Sequence, residues 1–460
     1  MKKICQNKDV ITASLIFIAG ITICIAMSVN LILPLTLGGI CYFLVALKRG
    51  YSFGSVLKFF AEGMKESLVV IEILMLVGVL SGIWRLDGTI GIFVHYSMKV
   101  ITPGFFILAT FLLCCFFSYA LGTCFGVAGT LGIILIAVAK AGDVNVLMTA
   151  GAVLSGGYFG DRCSPVSSSA VLTAFVTKTE LSQNMKLMFK TMIVPMIITT
   201  AMYGILSFTH PLKRVDTGIE SMLSEHFRLT PLLMLPVIVL ILLPLLKVDI
   251  KLAIVAGAVI AVVLAITIQG RSLSEAIDAM IFGYHPSNPN LAGIFGGGGM
   301  ITMLNISGWI LISCGYTGII KRTDLFKDMT GVMVKGCNKI GRSAMTLITG
   351  TVFSGLFCSQ SVAILMNAMM LRDAYPKTGG NYQELALDIE NLTVLSATWV
   401  PWGAALMAAF SAMDVPAKGV MYAFYVFVLP IYYLLTKRFP YAKLMCYNNG
   451  GAKVAVVTNV

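Results

Sequence analysis

The sequence predicts an all-α polytopic integral membrane protein made of two inverted-topology repeats with interrupted helices. Composition is the first reason: of 460 residues, 58% are hydrophobic and 12% charged, with a mean hydropathy of +0.89, against about 25% charged residues in a soluble domain. Charge-free runs are the second. Residues 11–29, 31–47, 101–139 and 343–371 supply the apolar length, about 20 helical residues, that a hydrocarbon core demands. They are apolar on every side, which excludes a barrel whose strands alternate with a period of two. The third is a bias of basic residues toward one side of the membrane.

The net charge of +12 sits in short loops and not on one amphipathic face, so it reads as cytoplasmic loop charge and excludes a nucleic-acid partner. The 11 cysteines lie mostly inside apolar runs without a CxxC pair, which suits neither zinc nor a disulfide framework. Lys2, Lys3 and Lys8 precede an apolar run without a cleavage site, so the N-terminus predicts an uncleaved first helix.

Spans are expected at 11–29, 31–47, 67–84, 101–121, 122–139, 144–176 and 191–209, then at 229–246, 252–270, 299–320, 343–357, 358–371, 388–413 and 419–436. A re-entrant pair in each half would lower the count and leave each half odd. The chain thus divides into an N-terminal half (1–209), an extracytoplasmic connector (210–228) and a C-terminal half (229–460) of opposite orientation. With the N-terminus inside, the inner loops hold Lys48, Arg49, Lys58 and Lys65; Lys178, Lys186 and Lys190; Lys247 and Lys251; and Lys321, Arg322, Lys327, Lys335, Lys339 and Arg342. The tail adds Lys437, Arg438 and Lys443, while the connector sets Lys213, Arg214 and Arg228 against Asp216, Glu220 and Glu225. Only the inner loop 372–388, with Asp373, Glu384 and Asp388, runs against the trend. Both termini are expected on the cytoplasmic side of the cell membrane. Amphipathic stretches at 51–66 and 88–99 recur at 271–282 and 323–338, and inverted repeats of this kind let one site face either side in turn.

The most informative segment runs from Ser155 to Ser169, Ser-Gly-Gly-Tyr-Phe-Gly-Asp-Arg-Cys-Ser-Pro-Val-Ser-Ser-Ser. Glycines and Pro165 inside an apolar run release backbone groups that must find partners in protein, water or an ion. Asp161 stands among them with Ser164, Ser167 and Ser168, hard oxygen ligands that suit a small alkali cation. Asp161 and Ser164 are the expected Na+ ligands. A carboxylate at that depth is costly unless a cation or a proton neutralises it, so Na+ and H+ would compete for Asp161.

Gly157 to Pro165 resembles the G-x-F-F-G-D-K-x-S-P signature of the NhaC family of sodium/proton antiporters, with Arg162 in place of the lysine. Gly122 to Thr130 is similar to the family's G-T-S-x-G-T-x-G-T run, Trp84 to Thr89 to its W-x-x-x-G-T element, and Glu390 to Trp402 to its E-D-S-G-T-x-T-S-P-L-I-P-W stretch. The resemblance covers roughly residues 60–436. It implies a secondary active Na+/H+ antiporter that works by alternating access and needs no cofactor beyond its transported Na+ and H+. Departures stand at Ser168 and Asn391, where the family carries acids, and at Val171, Ala397 and Thr398. Relatives of the family that carry amino acids or carboxylates keep a second reading open, a Na+- or H+-coupled carrier of a small amino acid or carboxylate.

Glu390, Asn391, Thr393, Ser396 and Thr398 form the counterpart of the Asp161 cluster in the second half, with Pro401 as its break. Trp399 and Trp402 either line the site or anchor at the interface. Glu72 interrupts the span 67–84, and matching Gly63-Met64 to Gly299-Met300 sets Glu72 one helical turn from the equivalent of Asn305. Both are then expected to face one central cavity. Gln360, at a turn with Cys358 and Ser359, and Asn367 read either as ligands or as small polar residues easing helix approach. With Arg162, Glu72 and Asn305, Gln360 is a candidate for a substrate or proton route. Asp87, Asp143 and Asp414 are expected at solvated helix ends. His95, His210, His226 and His285 lack metal spacing. Gly50-Tyr51-Ser52-Phe53-Gly54 matches G-x-S-x-G without the strand-turn-helix context, and no phosphate-binding loop supports ATP-driven pumping or an enzyme. A homo-oligomer stays open.

Overall fold

A computed structural model describes residues 2–27, 32–100, 102–212, 217–246, 248–323 and 330–437. The charges assigned to loops and tail at Lys213, Arg214, Asp216, Lys247, Lys327, Arg438 and Lys443 lie outside the described residues. The chain folds as α1 (Lys2–Ala26), α2 (Ile32–Lys48), α3 (Phe53–Leu86), α4 (Thr89–Val100), α5 (Phe106–Leu121), α6 (Cys124–Ala141), α7 (Val146–Cys163), α8 (Ser168–Thr177) and α9 (Leu181–Thr209). It continues through α10 (Thr217–His226), α11 (Leu235–Leu245), α12 (Ile250–Thr267), α13 (Leu273–Phe282), α14 (Pro289–Phe295), α15 (Leu304–Arg322) and α16 (Thr330–Ile340). The last elements are α17 (Arg342–Phe357), α18 (Gln360–Leu371), α19 (Ala374–Lys377), α20 (Tyr382–Trp399), α21 (Ala404–Ala412) and α22 (Phe424–Lys437). Among the described residues six helices are long and apolar enough to cross a membrane, and the pair α20 and α21, bent by 62° at its break, makes a seventh if it counts as one span. The protein is a helical, multi-pass membrane protein.

Several expected boundaries move for physical reasons. The stretch 51–66 is the first part of one 34-residue helix, α3, started by Ser52, which accepts from the Ser55 amide at 3.2 Å. The serine of the G-x-S-x-G match is therefore a helix cap. Segment 144–176 is two helices parted at Ser164 to Ser167, and 388–413 is two helices parted at Val400 to Gly403. α17 and α18 have 16 and 12 residues, about 24 and 18 Å at 1.5 Å per residue. Neither alone reaches across a core of about 30 Å, and the two pack against each other as a helical hairpin.

The two halves repeat in one register. α5 ends at Gly122 in the left-handed conformation (φ 70°) and α17 at Cys358 in the same conformation (φ 52°), each followed by one extended residue. α7 starts from the cap Asn145 and α20 from the cap Asn381. Each gives way to a short break with proline second, Ser-Pro-Val-Ser and Val-Pro-Trp-Gly. A single offset of 236 residues relates them all (122 to 358, 145 to 381, 165 to 401).

Direction follows from the contacts. α22 runs alongside α7, with Tyr422 at Gly151 and Tyr425 at Ser155, and antiparallel to α20, with Val426 at Trp399 and Tyr433 at Asp388. α7 and α20 are therefore antiparallel neighbours. α3 crosses α15 where glycines remove side chains: a Cβ on Gly63 would lie 2.1 Å from the Cys314 carbonyl and 2.9 Å from Gly318. Close approach of small residues is a common means of packing helices where lipid supplies no hydrophobic drive.

Candidate functional site

The site forms where the two broken helices and the two hairpin turns meet. Glycines set the first contacts: Gly156 and Gly160 on α7 admit α5, because a Cβ on either would lie within 2.5 Å of Cys114 or Ser118. Ser118 seals the approach, donating to the Gly156 carbonyl at 2.6 Å and accepting from the Gly160 amide at 3.0 Å. Gly157 faces the other way, toward Cys124. The glycine-rich segment is thus a helix with two bare faces, and its last turn delivers Asp161 to the start of α6 and the start of α18.

Asp161 is 8% exposed. Its Oδ2 accepts from Gln360 Nε2 at 2.9 Å, and Gln360 Oε1 accepts from the Tyr158 hydroxyl at 2.9 Å. The Cys124 amide also faces the carboxyl group. Cys124 and Gln360 are each the first residue of the returning hairpin arm and stand in the same repeat position, so both turns address one carboxylate. Below it, the break in the helix leaves the Asp161 backbone carbonyl without a helical partner. The hydroxyls of Ser167 and Ser169 donate to it, the latter at 2.6 Å.

Arg162 does not pair with Asp161. Its guanidinium is fully buried and donates to Asn391 Oδ1 (2.9 and 2.5 Å), Tyr425 Oη (3.0 Å), the Met188 carbonyl (3.0 Å), Thr191 Oγ1 (3.1 Å) and Cys163 Sγ (3.1 Å). Glu390, 1% exposed, has both carboxyl oxygens buried, with the Thr173 hydroxyl as the polar group facing them. Each acid lies in the field of the other, and Glu390 also in that of Arg162.

The expected residues distribute unevenly around this centre. Asp161, Arg162, Gln360, Glu390 and Asn391 are together. Ser167 caps α8, accepting from the Ala170 amide at 3.3 Å. Ser168 is exposed and Ser169 takes the inward place. Ser164 donates to the Tyr119 carbonyl at 2.6 Å and so turns toward the end of α5. Thr393 accepts from Asn367 at 2.6 Å, within a packing contact between α18 and α20. Trp402 donates to the Gly355 carbonyl at 2.8 Å and Trp399 to the Val426 carbonyl at 3.1 Å. Both tryptophans, half-buried, brace the second break through these bonds.

Glu72 corrects the central-cavity expectation: it is exposed on α3 and pairs with Lys251 of α12 at 2.5 Å. Asn305 is exposed on α15. The acids of 372–388 also differ from the loop charge expected of them. Asp388 is fully buried, held by Ser343 (2.7 Å), Tyr375 (2.6 Å), Tyr433 (2.6 Å) and Lys437 (2.5 Å), while Glu384 pairs with Arg342 at 3.1 Å. Both are balanced within the helix packing and take no part in side-to-side charge bias. Asp87, expected in solvent, is buried and accepts the amide and hydroxyl of Thr89 at 2.7 Å each.

The Na+/H+ antiporter family model matches residues 8–176 and 158–437. The chain belongs to the Na+/H+ antiporter family. Secondary active Na+/H+ antiport is the activity this membership supports. Among curated relatives, the chain is 26% identical over 416 residues to the Na(+)/H(+) antiporter NhaC of Bacillus subtilis, covering 88% of this chain and 91% of that one. It is 26% identical over 366 residues to the malate-2H(+)/Na(+)-lactate antiporter of the same organism, covering 78% of each. It is 25% identical over 397 residues to the arginine/ornithine antiporter ArcD of Halobacterium salinarum, covering 83% of this chain and 80% of that one. In this antiporter-family chain the signature glycines pack α5 and α6, and its acid meets both hairpin turns.

Proposed function

We propose that the protein exchanges Na+ for H+ by alternating access, with the two ions taking turns at Asp161. The observation that carries this reading is a buried carboxylate at the convergence of both repeats, with no cationic side chain against it among the described residues. Charge at such a site must be balanced by something mobile. Gln360 can serve both occupants. Its amide nitrogen faces the bare carboxylate, and the same amide turned over would offer oxygen to Na+ or to the protonated acid, with Tyr158 able to donate or accept in turn. Ser169, whose hydroxyl also faces the Asp161 carboxyl, takes the ligand role expected of Ser164 and Ser168. In this reading both termini are cytoplasmic and the inverted repeat lets Asp161 be reached from either side in turn.

Reconstituted into proteoliposomes, the protein is expected to dissipate a pH gradient on addition of Na+ without any organic solute. Asp161→Asn should bring that flux to background while the protein stays folded and inserted. Near-normal flux in the variant would refute the assignment. The malate/lactate and arginine/ornithine names among the relatives motivate a second reading, a Na+- or H+-coupled carrier of a small carboxylate or amino acid. Strict dependence of flux on such a solute would favour it, although the fully engaged guanidinium of Arg162 offers no spare donor for a substrate carboxylate.

A further inference from the structure

A groove of about 580 Å³ opens between α8 and α18. Val171 and Phe175 of α8 and Leu365 and Met369 of α18 form its sides. Phe175 is 80% exposed and Met369 58%, so the groove faces the surroundings of the helices, which in a membrane are lipid chains. One end of it is different. Lys178, directly after α8, and Arg372, directly after α18, both line it. Basic residues that close apolar helices lie at the level of the lipid headgroups, so the groove leads from apolar depth to a pair of cations.

Neither cation is neutralised by an acid among the described residues. The Arg372 guanidinium lies over the Tyr382 ring, 5.4 Å from its centroid, which holds it in place and leaves its charge in force. Glu180, close to Lys178 in sequence, instead accepts from Ser182 and, at 2.7 Å, from Gln183 at the start of α9. Asp373, beside Arg372, forms no ion pair with either cation. Lys178 itself stands in the left-handed conformation (φ 55°), which glycine adopts at less cost. A lysine at this cap does not suit the backbone, and a charge wanted at the groove supplies the reason for it.

We infer that the groove binds one anionic phospholipid, its phosphate held by Lys178 and Arg372 and an acyl chain laid along Val171, Phe175 and Met369. The two cations select an anionic headgroup, and the apolar sides behind them select a lipid over a soluble anion. The leaflet is the one at this end of α8 and α18, cytoplasmic in the proposed orientation, where anionic lipids attract basic groups near the surface. α8 and α18 pack together, and their other ends bring Ser169 and Gln360 to Asp161. A lipid seated here therefore ties together two helices that begin at the candidate ion site. The inference does not depend on which ion or solute that site takes.

The test uses full-length protein carrying Phe175→Trp, a change at an exposed side chain, in phosphatidylcholine vesicles with a minor share of brominated-chain lipid. Bromine quenches the new tryptophan when such a chain lies in the groove, and the parent protein read in parallel accounts for the 4 native tryptophans. Brominated phosphatidylglycerol should quench at a far smaller share than brominated phosphatidylcholine, with a preference of about 5-fold for each cation. An ordinary annular lipid shows no such preference, so equal quenching by the two lipids would overturn the inference. Lys178→Gly relaxes the backbone, and this variant should melt no lower than its parent while losing one cation's share of the preference. Arg372→Gln should lose the other share, and the two changes together should abolish the preference. An unchanged preference in both single variants would also overturn the inference. So would a dimer, detected by cross-linking, in which the new tryptophan is shielded from both brominated lipids, because a second copy of the chain would then fill the groove.

Discussion

The broken helices of the two halves share a backbone plan and differ in chemistry. α7 with α8, and α20 with α21, start from asparagine caps and part at a proline in the same register. Yet the position of Asp161 holds Ala397 in the second half, that of Arg162 holds Thr398, and Glu390 answers to Leu154. The symmetric part of the molecule is its framework, which needs two matching orientations. The proposed ion site is a single asymmetric object assembled from unlike contributions, Asp161 from one half and Gln360, Glu390 and Asn391 from the other.

Four experiments probe how deep that asymmetry goes. The largest effect is expected from moving the acid: Asp161→Ala combined with Ala397→Asp should remain at background in Na+-driven H+ flux. By the register of the repeat, the moved carboxylate would meet the side chain of Cys124 where Asp161 meets that of Gln360. Restored exchange would mean that the framework alone defines the site. Gln360→Ala removes a hydrogen bond to a charged group, worth about 1.5–3 kcal/mol, and should weaken Na+ dependence by about 10- to 100-fold in the same assay, with little change at Cys124→Ala, where only the backbone amide is used.

A smaller effect separates the two hairpin turns. Gly122→Ala would place a Cβ 2.7 to 2.9 Å from Val166 and Ser167 at a left-handed position, and should lower thermal stability by about 1–2 kcal/mol or more. Cys358→Gly relaxes the equivalent position, at φ 52°, and should raise it by up to about 1 kcal/mol. Opposite signs in a thermal melt in detergent support the shared turn geometry, and equal signs count against it. The smallest effect lies outside the membrane spans. His226 bonds Tyr284 at 2.6 Å, and burial with the Arg271 charge pushes its imidazole below the ordinary value. The shift favours the neutral imidazole, so His226→Gln should leave the pH profile of exchange unmoved, and a shifted profile would give the histidine a role in pH sensing.

The Asp161 segment is legible in the sequence because glycines, a proline and an acid within an apolar run interrupt a helix where lipid tolerates no loose backbone groups. Helix starts set the limit on the serines. α8 begins at Ser168, so a one-residue choice of register exchanges the exposed Ser168 for the inward Ser169. Glu72 escapes sequence reasoning on related grounds: α3 is apolar nearly all round beside it, and such a helix carries no signal for which face meets protein. The buried Asp388 reads as loop charge because its partners Ser343, Tyr375, Tyr433 and Lys437 come from three other helices, which only the folded chain brings together. Gln360 stands beside a turn with no visible link to Asp161, since the contact joins opposite halves.

The glycine crossing of α3 and α15 carries a consequence for how such a molecule can evolve. At Gly63 and Gly318 the two backbones touch with nothing between them, so any enlargement on one side of the crossing must be answered on the other. Ionic selectivity can drift by exchanging polar residues around Asp161, one at a time. The spacing of the two long struts cannot, and this part of the architecture should change only by paired steps.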